Sequence, residues 1–424
     1  MTATAGAGSK VKIPAVRWLW VVMCLGIYLC MCLQQVVLTD RYFGTGLSLG
    51  SMAIRGVALG LSAWALWRHG VPVCLRRPLL AIAACIAALA ASVLASEHTA
   101  LAFRFAVRYG TMLLLLWGML NFAVFCPDWP RTATLAALSA LWLNLALGLA
   151  VLLQWPLALR ISLAFHSEDA FKYLPRISGM HEHPALFASC AAVVALLVLQ
   201  LYRRGELGRV ALALALLGVV TAMALTQVRN IFLPIGVLLV WWAWSASGVH
   251  RRIACGGLLG LSMLAFFVLW QRYSDMTSAT HENILTAVSL GRTYLWAGAW
   301  EAWSSHPWFG LGPGVFQYLV PDYTGGRFDR GELHAHNIIL AMLSETGLCG
   351  LLAGIYLLCA LWIPLLRSPD AYRWAVIWLM LLLGLSIFDH YLPFYAFSLH
   401  AILALSQQYA QAIENNHRRV DEIQ

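Results

Sequence analysis

The chemistry-bearing stretch is Arg330-Gly331-Glu332-Leu333-His334-Ala335-His336-Asn337, which runs into the apolar segment Ile338-Ile339-Leu340-Ala341-Met342-Leu343. Ionisable side chains where a polar segment enters a membrane-length apolar run are costly, so they mark functional-site candidates by default. A neutral imidazole near pH 7 can take a proton from a hydroxyl. His336 is therefore the candidate general base, with His334 as a supporting group. Asn337 either orients the ring or a substrate, or caps the helix that begins at Ile338.

Several arginines are the next candidates. Arg229 lies in Thr226-Gln227-Val228-Arg229-Asn230, between two apolar runs. A guanidinium there can fork onto a phosphate, or simply snorkel at a helix end. Arg292 opens a segment with helical spacing and can meet a substrate or a lipid headgroup. Arg176 precedes the sixth apolar run. Asp389, in Asp389-His390-Tyr391, could orient a histidine or pair with an arginine, or sit in a solvated turn. His181-Glu182-His183 offers two imidazoles and one acid but no clear third and fourth ligand, so no metal site is expected. No acidic pair is positioned for a divalent cation, and a glycine-rich nucleotide loop is absent. No cofactor is expected.

These groups must be held by membrane helices. Of 424 residues, 61% are hydrophobic and only 11% charged, and mean hydropathy is +0.73. Soluble chains carry about a quarter charged residues, so composition predicts an all-α polytopic membrane protein and excludes a soluble or nucleic-acid-binding domain. About twelve runs are long enough to cross the bilayer: 14–38, 48–67, 78–96, 106–126, 132–156, 184–202, 208–226, 229–247, 252–271, 337–363, 372–388 and 391–411. The first is too long for a signal-peptide core and reads as an uncleaved span. The pentapeptide 226–230 implies a tight helical hairpin between spans seven and eight. The ten cysteines fall in or near apolar runs and outline no disulfide framework.

Short basic connections such as Arg203/Arg204/Arg209 and Arg251/Arg252 read as cytoplasmic. With twelve spans both termini are then cytoplasmic. The opposite face holds two long connections, about 156–183 and 271–336. They retain Arg160, Lys172, Arg176, Arg272, Arg292, Arg327 and Arg330 against the positive-inside tendency. An anionic ligand on the outer face accounts for them most simply. Within the second connection, 290–303 predicts a membrane-surface helix with tryptophan and tyrosine on its interfacial face. A turn-rich segment, His306 to Gly314, follows. The whole chain reads as one integral membrane domain, with 272–336 as a loop that roofs the site.

His336-Asn337, nine residues, Gly347, two residues and Gly350 resemble the H-N-x9-G-x-x-G signature of the bacterial O-antigen ligases. Arg229-x3-Leu233 resembles their R-x3-L element. Gly291-Arg292 through Trp296 to Gly310-Leu311-Gly312 is similar to the long periplasmic loop of the wider O-antigen ligase/polymerase superfamily. The resemblance implies a metal-independent, inverting inner-membrane glycosyltransferase of the GT-C kind. It would move O-antigen from undecaprenyl diphosphate to the outer-core sugar of lipid A–core on the periplasmic face. By position, His336 then matches the essential histidine, Arg229 the motif arginine and Arg292 the loop arginine. The roles of Arg176 and His334 are inferred from placement alone. O-antigen polymerase and protein O-oligosaccharyltransferase share these features and differ in acceptor. A secondary transporter would be built on paired repeats with charge at mid-membrane, and neither is visible here.

Overall fold

The structure, a computed structural model, describes residues 14–32, 49–126, 128–165, 176–181, 183–228, 232–245, 247–280, 292–328, 334–368, 371–388, 398–410 and 412. Among them every regular element is helical. The helices are α1 (Pro14–Cys32), α2 (Leu49–His69), α3 (Arg76–Ala95), α4 (Thr99–Phe125), α5 (Trp129–Leu152), α6 (Pro156–Phe165), α7 (Pro184–Arg203) and α8 (Arg209–Thr226). They continue as α9 (Phe232–Ser245), α10 (Gly248–Thr280), α11 (Arg292–Ser305), α12 (Phe316–Thr324), α13 (Ile338–Arg367) and α14 (Tyr372–Phe388), with α15 over 398–410. Each of the twelve apolar runs contains a helix. Six helices of the described chain are long and apolar enough to cross a membrane: α3 with its preceding 3-10 turn, α4, α5, α7, α8 and α13.

Several boundaries differ from expectation. α4 begins at Thr99, not at 106, so Arg104 and Arg108 lie inside the helix. α5 stops at Leu152, and Pro156 opens a separate short helix, as proline does at a first helical position. α10 runs on to Thr280, so the expected long loop starts as helix. The expected hairpin of α8 and α9 is not the main packing of either. α8 lies against α7 and α5, whereas α9 lies against α10 and α14. Gln227 ends α8 in the left-handed region (φ 50°).

α7 sits at the centre and is buried along nearly its whole length, consistent with a sequence that is apolar on every side. Packing between lipid-embedded helices rests on close contact and interhelical hydrogen bonds. Gln200 of α7 and Gln408 of α15 exchange hydrogen bonds of 3.0 and 2.6 Å, and Trp378 Nε1 of α14 donates to Gln200 Oε1 at 3.1 Å. Trp129 Nε1 of α5 donates to Ser406 Oγ of α15 at 2.8 Å. The region between α10 and α13 has an apolar core of its own. Leu295, Ala299 and Ala302 of α11, Leu311, and Val315, Phe316 and Val320 at α12 cluster with Val93, Ala102, Ala335 and Ala341.

The main surprise is an interruption inside α13. Gly347 has φ 64° and ψ −164°, a backbone region open in practice only to glycine. A Cβ there would overlap the Trp308 and Phe309 backbone. The break frees backbone groups, and backbone polar groups at membrane depth must be satisfied by protein. The turn after α11 does this. Leu348 N donates to Pro307 O (2.8 Å) and Cys349 N to Trp308 O (3.1 Å). In return, Leu311 N donates to Ser344 O (2.8 Å) and Gly312 N to Glu345 O (2.9 Å).

Gly347→Ala is expected to lower stability by about 1–3 kcal/mol, read as a fall in the temperature at which detergent-solubilised protein aggregates. Gly60→Ala, where an added Cβ meets nothing within 4 Å, should be neutral or slightly stabilising. Equal behaviour of the two variants would contradict the role given to the break.

Candidate active site at the start of α13

α13 begins with a cap made by its own sequence. Asn337 is extended (φ −155°, ψ 121°), and its Oδ1 accepts from Ile339 N at 3.0 Å and Leu340 N at 3.1 Å. Asn is among the best N-caps because its side-chain oxygen takes two of the donors a helix start leaves over. The capping role anticipated for Asn337 is therefore real. The cap also fixes its neighbour. His336 has φ 47°, a left-handed conformation uncommon outside glycine, though histidine is enriched among exceptions. The imidazole is partly exposed, while Ala335 beside it is buried in the same apolar cluster as Leu295 and Ala299 of α11. His334 is also partly exposed. The result is a titratable ring held at the rim of the membrane segment between a buried anchor and a helix cap.

Arg292 is the first residue of α11 and is partly buried. α11 packs along α13 and α12 through Leu295, Gly298, Ala299 and Ala302. The elements carrying Arg292 and His336 thus share one core. Arg176 docks elsewhere. Its Nε donates to Thr226 O at 3.1 Å, and Ile177 N donates to Leu225 O at 3.1 Å. Arg176 is therefore pinned to the end of α8, three residues before Arg229. Arg229 and Asp389 themselves lie outside the described residues.

The neighbouring histidines are structural. His183 Nδ1 accepts from Ala185 N at 3.0 Å and caps α7. His181 is buried, with Nε2 3.0 Å from the Tyr28 hydroxyl, and Asn144 Nδ2 donates to that same hydroxyl. Asn144 Oδ1 accepts from Met180 N at 2.7 Å. The T-shaped pair of Tyr28 and His400, 5.6 Å between centroids, extends the cluster to α15. Among the described residues no three His, Cys, Asp or Glu side chains gather in a metal-binding group.

Glu345 was passed over in the sequence, where it lies in an apolar run between Ser344 and Thr346. It is buried, and its carboxylate accepts from Gly314 N at 2.7 Å and from Tyr109 Oη of α4 at 3.3 Å. Ser92 Oγ of α3 bridges the Phe309 and Glu345 carbonyls at 2.7 and 2.9 Å. The rule that an intramembrane acid signals a site would have found it. Its contacts are with protein groups, and they tie the turn after α11 to α3, α4 and α13.

Residues 214–355 match the O-antigen ligase family, Wzy_C. That match, over about a third of the chain, supports a relation to the O-antigen ligase/polymerase superfamily. The matched segment contains Arg229, Arg292 and His336, together with the glycine break at Gly347. No curated protein matches the chain. The match and the long apolar helices together support a membrane protein of O-antigen ligase/polymerase type.

Removing the carboxylate tie should loosen this corner. Glu345→Ala leaves the Gly314 amide without its acceptor, a cost of about 1–3 kcal/mol. Glu345→Gln keeps an amide oxygen as acceptor and should fall well short of that loss. Thermal aggregation of the two purified variants separates them, and equal losses would mean the charge, not the hydrogen bond, matters.

Proposed function

We propose that this protein is an O-antigen ligase. It transfers O-antigen from undecaprenyl diphosphate to the terminal outer-core sugar of lipid A–core, with His336 as base and Arg229, Arg292 and Arg176 as the diphosphate clamp. The observation that carries this is the setting of His336. It is fixed in a left-handed conformation and partly exposed, one residue from a buried anchor shared with the helix that Arg292 opens.

The chemistry follows from the residue types. The acceptor hydroxyl oxygen forms a bond to the anomeric carbon of the donor sugar. The bond from that carbon to the diphosphate oxygen breaks, and its electron pair leaves with undecaprenyl diphosphate. The hydroxyl proton passes to the His336 imidazole. Attack opposite the leaving group inverts the anomeric configuration. Charge grows on the diphosphate as the bond breaks, and guanidiniums held ready in a water-poor site stabilise it. That electrostatic role is one a metal would otherwise fill, so the reading is metal-independent and cofactor-free. Asn337 acts by fixing the backbone of His336, with His334 and Asp389 as supporting groups.

The same reading places the protein in the inner membrane as a GT-C transferase of about twelve spans. Both termini are cytoplasmic, and 272–336 roofs a periplasmic site. The charge bias of the connections and the helices found in all twelve apolar runs support this. Two lipid-anchored substrates need a site open sideways to the bilayer.

His336→Ala, purified and folded, should lose on the order of 10²–10⁴-fold in transfer rate. Wild-type turnover by that variant in proteoliposomes sinks the base assignment. Arg292→Lys keeps charge but loses the planar fork, so its rate should fall between those of wild type and Arg292→Ala. Supplying lipid A–core, a second lipid-linked glycan or an acceptor protein distinguishes ligase from polymerase and protein O-oligosaccharyltransferase. Product on lipid A–core is the expected result.

A further inference from the structure

The turn after α12 places a second guanidinium on α11. Gly325 and Gly326 are both left-handed (φ 63° and 72°), and Gly326 N donates to Pro321 O at 2.8 Å. This reversal lays Arg327 over Tyr294, with the guanidinium carbon 4.0 Å from the ring centroid. The lack of a side chain at Gly298 makes the approach possible: an added Cβ would lie 2.9 Å from the Tyr323 carbonyl oxygen. Arg327 is exposed, and it has no carboxylate partner among the described residues. A cation–π contact restrains a guanidinium without using its N–H donors in hydrogen bonds. That arrangement suits an oxyanion.

This position is separate from that of Arg292. At 3.6 residues per turn, Arg292 and Tyr294 are roughly 200° apart around α11. Leu295, Gly298, Ala299 and Ala302, the buried stripe, fill the arc between them. The two arginines therefore border opposite edges of one packed face. A single phosphate does not reach both edges of such a face, whereas a large anionic glycolipid presents more than one charged group.

We propose that Arg327, stacked on Tyr294, forms a phosphate-binding subsite at the rim of the roof, distinct from the position of Arg292, which holds a phosphorylated glycolipid substrate. The identity of that substrate rests on the ligase reading. The phosphate could belong to the diphosphate of the lipid-linked donor or to the acceptor.

The test uses full-length protein in nanodiscs of neutral lipid, with both KM values measured for wild type, Arg327→Gln, Tyr294→Ala and Tyr294→Phe. Arg327→Gln should raise one KM about tenfold, the loss of one charge-assisted contact, with kcat within twofold. Tyr294→Ala should follow it, and Tyr294→Phe, which keeps the ring, should resemble wild type. A rise in donor KM assigns the subsite to the diphosphate. A rise in acceptor KM that disappears with phosphatase-treated lipid A–core assigns it to the acceptor. Unchanged KM values, or a loss confined to kcat, overturn the proposal. Direct binding of undecaprenyl diphosphate and of lipid A–core to the same variants separates this proposal from its parent. Weaker binding by Arg327→Gln in a protein that transfers to no acceptor would keep the subsite and discard the ligase. Equal binding would discard the subsite whatever the reaction.

Discussion

In a bilayer there is no water to satisfy a broken helix, so each backbone group released at Gly347 has to be met by protein. The turn between α11 and α12 meets four of them, and the interlock is mutual, two donors in each direction. This exchange fixes the region between α10 and α13 to the membrane bundle. Glu345, Ser92 and Tyr109 then fasten the same point from α13, α3 and α4. Both helices that carry candidate catalytic groups, α11 and α13, leave this junction. Their relative placement is inherited from backbone hydrogen bonds, which are less easily varied than side-chain contacts.

Broken helices in membrane proteins often use their freed ends to hold ions or substrates. Here the freed ends are taken up by the chain itself. The proposed base, His336, stands instead at the start of α13, beside the Asn337 cap. The interruption is architectural, and the proposed base lies about three helical turns away from it.

Much of this was legible in the sequence. The apolar runs located twelve helix-containing segments, the amphipathic spacing after Gly291 located α11, and the Asn before Ile338 announced its cap. Boundaries were less legible, because α4 and α10 extend through polar residues. The partners of α8 and α9 were misjudged because a short linker suggests a hairpin. The two helices instead pack mainly on different neighbours, and Gln227 at the end of α8 is left-handed. The interruption of α13 was hidden for a different reason. Gly347 entered the reading as part of a motif, and only the segment of chain that fills the break, nearly forty residues away in sequence, explains why a glycine is required. Glu345 escaped notice inside the same apolar run. The cluster of Tyr28, Asn144 and His181 joins residues too distant along the chain for spacing to reveal.

The apolar cluster beneath α11 and α12 includes Val93 of α3 and Ala102 of α4. α11 and α12 are thus rooted in the bundle, and the roof proposed for 272–336 would be a fixed ceiling and not a hinged flap. Lipid-borne molecules would have to come and go through gaps between helix flanks. A ceiling of that kind would also keep out bulk solvent. Water is itself a nucleophile, so in a glycosyl-transfer site a looser ceiling would waste the donor by hydrolysis, shedding free polysaccharide instead of a conjugate.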